Sequence, residues 1–177
     1  MAFPCLDFIP AGAGDRSLLL ALQTEYLSWV FAGLRSKLQI DMEQIQGKTA
    51  GEYAAAGLDT LCIHQPPQRH FYLIRHQDQR IGMAGLREIA PGVAEIKRLY
   101  LQPAWQGKGV GKRVLQRLEQ LALESGYRLL RLDSAPFMEQ AQGLYLRCGF
   151  TDCPPYPQTE VPSELHARWR FMEKPLG

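Results

Sequence analysis

Leu18, Leu19, Leu22, Tyr26, Trp29, Val30 and Leu34 recur at the spacing of one helix face, which predicts an amphipathic helix closing near Gly33. Ahead of it, Phe3 to Ile9 reads as a short strand ended by Pro10 and a Gly-Ala-Gly turn, with Asp15 or Ser17 as cap. The pattern weakens from Arg35 to Leu61, where Thr49 and Glu52 form a capping box for a short helix through Ala56 that stops at Gly57. Three β-rich runs follow, His70 to Arg75, Arg80 to Ile89 and Ala94 to Leu101, separated by the polar turn His76-Gln77-Asp78-Gln79 and by Pro91-Gly92. Short polar turns between such runs predict an antiparallel meander.

Pro103 ends the third run. Val110, Val114, Leu115, Leu118, Leu121 and Ala122 then share one face of a helix over Gly109 to Ser125, with Gly126 as its stop. A strand over Arg128 to Asp133 and a helix over Met138 to Cys148 come next. Phe150 to Tyr156 and Leu165 to Glu173 read as a closing strand pair around a Pro-rich loop. A meander followed by helix, strand, helix and two strands is an α+β layout with helices on a mixed sheet. No Pro- or Gly-rich linker divides the 177 residues, so the whole chain, 1–177, is read as a single domain.

Composition adds mainly exclusions. The chain is 46% hydrophobic and 21% charged, and 20 basic against 18 acidic residues leave a net charge of +2. That is no field for nucleic acid or an anionic membrane, so neither is an expected partner. No basic start leads into a long apolar stretch, and Leu18 to Leu34 is interrupted by Gln23, Glu25 and Ser28. A soluble protein is expected, without signal peptide or membrane span. The cysteines at 5, 62, 148 and 153 make no Cys-x-x-Cys pair, and with His64, His70, His76 and His166 they suggest no zinc site. No metal is expected, and a reducing cytoplasm is the simplest compartment.

The chemistry concentrates between Leu99 and Lys112. Gly107, Gly109 and Gly111 remove Cβ atoms that would hold a ligand off the backbone, just where a strand turns into a helix. The first amides of that helix lack intrahelical partners and sit at its positive end, and Lys108, Lys112 and Arg113 add charge; together these make a cradle for phosphate. The dinucleotide fingerprint fails because Lys112 stands where its third glycine belongs. The Walker pattern fails at both ends, at Gln106 and Arg113.

Gln106-x-x-Gly109-x-Gly111 resembles the Gln/Arg-x-x-Gly-x-Gly/Ala signature of the GNAT superfamily of N-acetyltransferases. The run from Glu95 to Pro103 resembles that family's central strand, and Ala141-x-x-Leu144-Tyr145-x-x-x-Gly149-Phe150 its second motif. The close match covers roughly residues 70 to 156, and elsewhere only the order of elements agrees. The resemblance implies a mainly antiparallel sheet with helices on both faces and acetyl-CoA as co-substrate. It also implies that Gln106, Gly107, Lys108, Gly109, Val110, Gly111 and Lys112 hold the pyrophosphate, while Leu99, Tyr100 and Leu101 offer a strand edge to the pantetheine arm. Pro103 is expected to mark where that strand parts from its neighbour.

The resemblance further implies that Tyr145 protonates the leaving thiolate and that Glu95, where some members carry a glutamate, takes the proton of the amine directly or through water, with a water chain alone as the other route. Met138 departs from an asparagine common in the family. The acceptor pocket is expected from Phe31 to Leu61, with Asp41, Glu43, Glu52 and Tyr53, and from the closing segment with Tyr156, Glu160, His166, Arg168 and Trp169. A small-molecule primary amine is the expected acceptor, by direct transfer in a ternary complex, and a homodimer is compatible. The alternatives are a non-catalytic acetyl-CoA sensor and an enzyme acting on protein N-termini or lysines.

Overall fold

The computed structural model describes residues 5–61, 66 and 69–177. The Phe3 end of the first expected strand, Cys62 and His64 lie outside them. Strand β1 (Asp7–Pro10) leads through a 3-10 turn (Ala13–Asp15) into α1 (Arg16–Leu38), then α2 (Met42–Gln46) and α3 (Ala50–Leu61). The meander is β2 (Arg69–His76), β3 (Gln79–Ala90) and β4 (Val93–Leu101). After a 3-10 turn (Pro103–Trp105) come α4 (Val110–Glu124), β5 (Leu129–Ser134), α5 (Glu139–Arg147), β6 (Thr151–Asp152), a 3-10 helix (Ser163–Arg168) and β7 (Arg170–Pro175).

The strands form one sheet in the order β1-β2-β3-β4-β5-β7-β6, antiparallel throughout except between β4 and β5. Both faces are covered. Val114, Leu115 and Leu118 of α4 and Tyr145 of α5 pack with Ile74, Ala84, Ile96 and Leu130 on one side. Leu19 and Leu22 of α1 and Leu58 of α3 pack with Phe71, Leu73, Met83 and Tyr100 on the other. A third apolar cluster, including Leu27, Phe31, Leu34, Met42, Ala54 and Leu165, extends the α1 side beyond the sheet. Among the described residues, no helix is long and apolar enough to cross a membrane.

Several expected boundaries move, each for a packing reason. Helix α1 passes Gly33 and ends at Leu38, capped by Gln39 in a left-handed conformation. Gly33 serves a close approach instead: a Cβ there would lie 2.4 Å from the Phe137 ring. Asp15 does sit at the helix cap, but its carboxylate accepts from the Gly12 amide at 3.0 Å rather than from the helix. Thr49 and Glu52 form the expected reciprocal box, with amide bonds of 2.8 and 3.3 Å. Its helix continues past Gly57 to Leu61, because Leu58 is buried to 2% exposure against the sheet. That burial, about 2 kcal/mol for a leucine, exceeds the roughly 1 kcal/mol cost of a helical glycine. The closing pair is shorter than expected. Pro154 and Pro155 offer no amide to a ladder, so β6 ends at Asp152, and Leu165 lies in a 3-10 helix.

Candidate active site

Two irregularities of β4 organise the site. Strand β4 pairs with β5 only through Val93, Ala94 and Glu95 and then parts from it, which leaves its main chain unpaired on that side from Ile96 onward. The parting thus begins well before Pro103, contrary to expectation. Toward β3, Met83 faces Tyr100 whereas Gly85 faces Lys97, so β4 carries one extra residue. Arg98 absorbs it at φ 53°, and among the described residues it is the non-glycine residue with positive φ that lies inside a strand. Such a conformation costs an ordinary residue about 1–2 kcal/mol. It also shifts the alternation. Ala94 and Ile96 lie on the α4 side, but so do Leu99 and Leu101, while Lys97 and Arg98 line one cavity on the α1 side.

The glycine loop lies at the end of this strand. Gly107 and Gly109 adopt φ of 70° and 78°, and a Cβ at Gly107 would meet nothing within 4 Å. Residues 106–109 are exposed and Val110 buried, so the start of α4 is anchored with its leading amides toward solvent. Lys108 and Lys112 are exposed beside it. This open cradle fits a diphosphate. Two expected contributors have other contacts. Gln106 donates from Nε2 to the Leu101 carbonyl at 2.7 Å, which fastens the loop to the strand. Gly111 lacks a Cβ where Leu144 of α5 would lie 3.2 Å away, so it permits helix packing. Leu99 packs on the α4 side, and Tyr100 points the other way, donating to Glu25 at 2.7 Å.

Tyr145 is buried on α5 with its ring 6.0 Å from that of Phe150. Its hydroxyl has no hydrogen-bond partner among the described residues. Burial pushes its pKa well up, and Tyr26 on α1 and Asp133 on β5 push the same way. Those two belong to the opposite face, so Tyr145 reaches electrostatically across the β4–β5 gap.

Glu95 has no exposed surface. One oxygen accepts from the Tyr156 hydroxyl at 2.6 Å, the other from Arg87 at 2.6 Å, with the Lys97 ammonium at 3.6 Å. Lys97 also lies 3.2 Å from Glu160 and 3.7 Å from Asp133. Burial acts to lower the Lys97 pKa, but Asp133, Glu95 and Glu160 outweigh it and leave it raised. The carboxylate expected to take the proton of the amine is thus enclosed by its own donors.

The cavity on the α1 side encloses about 90 Å³. Tyr26, Phe31, Tyr53 and Trp169 supply aromatic walls, Lys97, Arg98, Asp133 and Glu160 the charges, and Met138 part of the floor. Asp133 accepts from the Trp169 indole at 2.9 Å and retains partial exposure. Tyr53, Glu160 and Trp169 thus fall where expected. The others do not: Asp41 and Glu43 pair with Arg35 at the surface, Glu52 caps α3, and Tyr156 holds Glu95. His166 contacts the Val161 carbonyl, and Arg168 donates to Leu38. Tyr26, Asp133 and Arg98 went unassigned from the sequence. The charged alternation of Arg131 and Asp133 along β5 was a usable signal for the aspartate; nothing local marks the bulge.

The chain matches the acetyltransferase (GNAT) family over residues 35–150, which includes Glu95, the glycine loop and Tyr145. It is 31% identical over 121 residues to an IAA acetyltransferase of Azospirillum brasilense, covering 67% of this chain and 75% of that protein. It is 32% identical over 125 residues to an uncharacterized N-acetyltransferase of Bacillus subtilis, covering 69% and 78%. In fold it resembles the PaiA N-acetyltransferase of Thermoplasma acidophilum in complex with coenzyme A, with TM-score 0.68, 20% identity and coverage of 97% and 99%. It also resembles the spermidine N-acetyltransferase of Vibrio cholerae in complex with CoA and spermine, with TM-score 0.67, 17% identity and coverage of 97% and 95%. With the parted strands, the glycine cradle and the buried tyrosine in register with that match, the chain belongs to the GNAT family of acetyltransferases.

Proposed function

We propose that the protein moves the acetyl group of acetyl-CoA to the primary amine of a small molecule, by direct transfer in a ternary complex. The carrying observation is the parting of β4 from β5 between two unlike compartments. On the α4 side are the cradle and the Tyr145 hydroxyl; on the α1 side is a half-open aromatic cavity with a partly exposed carboxylate. A cavity of about 90 Å³ with aromatic walls and a few convergent charges suits a small metabolite.

The thioester supplies an activated acyl carbon. In this reading the amides at the start of α4 and the flanking lysines hold the pyrophosphate, and the unpaired edge of β4 aligns the pantetheine arm. The amine must be neutral to attack. Asp133, which lines the cavity, is the better-placed acceptor for its proton, and Glu95 is the positioning residue that holds Tyr156 and Arg87. The nitrogen bonds to the acyl carbon, the carbon–sulfur bond breaks, Tyr145 donates its proton to the sulfur, and the proton that the new amide nitrogen sheds restores the tyrosine hydroxyl. Its raised pKa keeps that proton in place at working pH.

An acetyl-cysteine route is less well supported. Burial raises the Cys148 thiol pKa, and Glu119 adds to this, so little nucleophilic thiolate forms. The test is thiol release from acetyl-CoA across amino acids, polyamines, aminoglycosides and short peptides. Turnover with a small amine and intersecting initial-velocity lines are expected; transfer confined to peptides would overturn the small-molecule reading.

A further inference from the structure

The charges around the cavity are matched in pairs except at one point. Arg87 bonds Glu95 and Glu160 at 2.6 and 2.8 Å. Lys97 lies within 3.7 Å of Glu95, Asp133 and Glu160. Every carboxylate of the cluster is thereby engaged by a cation already. Arg98 has no carboxylate oxygen within 4.0 Å among the described residues, although Glu160 is near enough to feel its charge, and its Nε is buried without a hydrogen-bond partner. Its guanidinium lies instead between two rings, 5.9 Å from the centroids of both Tyr26 and Tyr53.

Aromatic faces are a suitable wall for a guanidinium, and the Tyr26 hydroxyl engages only part of its donor set, which leaves Nε without a partner. They also hold its planar fork in a fixed orientation, the condition under which a carboxylate is bound through two parallel bonds. Strand alternation would have turned this side chain toward α4. It reaches the cavity because the bulge spends a left-handed conformation on it. The bulge delivers to an aromatic cavity a cation with no carboxylate in direct contact, and an anionic occupant would supply that contact.

We infer that the acceptor carries a carboxylate, which Arg98 binds between the Tyr26 and Tyr53 rings, so that the substrate is a compact amino acid rather than a polyamine. This rests on the acetyl-transfer reading above. Asp133 lines the same cavity, so one molecule meets a proton acceptor for its amine and a cation for its carboxylate. Polyamines and aminoglycosides offer nothing to Arg98 and would place a second positive charge beside it.

Two measurements on the intact protein test the inference separately from the reading beneath it. The first compares thiol release with free amino acids and with their C-terminal amides. Acids are expected to exceed amides by about tenfold or more in kcat/KM, chiefly through KM, with the ratio falling toward one in Arg98→Gln and largely retained in Arg98→Lys. The second titrates N-acetyl amino acids and their amides into the CoA-saturated protein by calorimetry, which needs no turnover. The acids are expected to bind about tenfold more tightly, a difference lost in Arg98→Gln. Acid-selective binding without transfer to any amine would sink the acetyl-transfer reading and leave the carboxylate site standing. Equal binding of acids and amides, or an acid preference surviving in Arg98→Gln, would overturn the site whatever the turnover.

Discussion

The Tyr156 hydroxyl donates to Glu95 at 2.6 Å, and a guanidinium nitrogen of Arg87 meets the other oxygen of that carboxylate at the same distance. A carboxylate with no exposed surface, both of whose oxygens already hold donors, has no direct line to an incoming amine. It is a strong organiser of what surrounds it. Glu95 thereby ties the C-terminal loop, which carries Tyr156 and Glu160, to the central strands.

That relationship separates two carboxylates experimentally. Glu95→Gln is predicted to cost about 3 kcal/mol of stability, since it leaves Arg87 and Lys97 with a buried charge less well matched. Asp133→Asn is predicted to change stability much less and to lower turnover by about a hundredfold, with partial recovery at high pH where the amine is already neutral. Chemical denaturation and pH–rate profiles of the two variants check this. A normal pH profile in Asp133→Asn with a displaced one in Glu95→Gln would return the base role to Glu95.

Tyr145→Phe removes a hydroxyl that bonds nothing among the described residues while keeping the ring against Phe150. Stability is predicted to change by less than about 1 kcal/mol. Turnover is predicted to fall roughly a hundredfold with acetyl-CoA affinity nearly unchanged. Single-turnover kinetics and calorimetry measure the two effects; a wild-type chemical step would make Tyr145 a packing residue.

The loop glycines are predicted to divide by what their missing Cβ faces. Gly109 has φ 78°, so Gly109→Val strains the loop that presents the amides and is expected to weaken acetyl-CoA binding by about tenfold or more. Gly111→Leu drives a side chain into Leu144 and is expected to lower the melting temperature before it alters the cradle. Calorimetry paired with thermal denaturation separates the two outcomes.

Glu160 and Lys97 set a pH window for stability. Burial acts to raise the Glu160 pKa, but Lys97, Arg87 and Arg98 outweigh it and leave the pKa lowered. Its contribution is therefore present above the unfolded carboxylate value, about 4.3, and is lost as pH falls through the lower folded value. The raised Lys97 pKa acts in the opposite sense: its contribution is full below about 10.4 and is lost as pH rises through the folded value. Melting temperature is predicted to hold a plateau between those limits. Glu160→Gln is predicted to flatten the acid limb, and an unaltered acid limb would remove Glu160 from the account.

The sequence by itself determined the α+β layout, the position of every long strand and of α4, and the glycine loop between β4 and α4. These follow from local rules. Periodicity of 2 or 3.6 shows which face a residue takes as long as the element is regular, and glycine at a strand-to-helix turn is a backbone requirement written into residue type. Thr49 and Glu52 were legible for the same reason, since both halves of their capping box lie within four residues.

Tertiary structure decided the rest, wherever a distant contact outweighed the local signal. Gly33 resembled a helix stop until the Phe137 ring, far along the chain, was found filling its place. Glu95 carries no local sign of its burial, and only the fold closes Tyr156 and Arg87 over it. Arg98 gave no local signal, because alternation assigns it to the α4 face. Only the extra residue in the pairing of β4 with β3, a relation between two strands, turns it into the α1-side cavity beside Lys97.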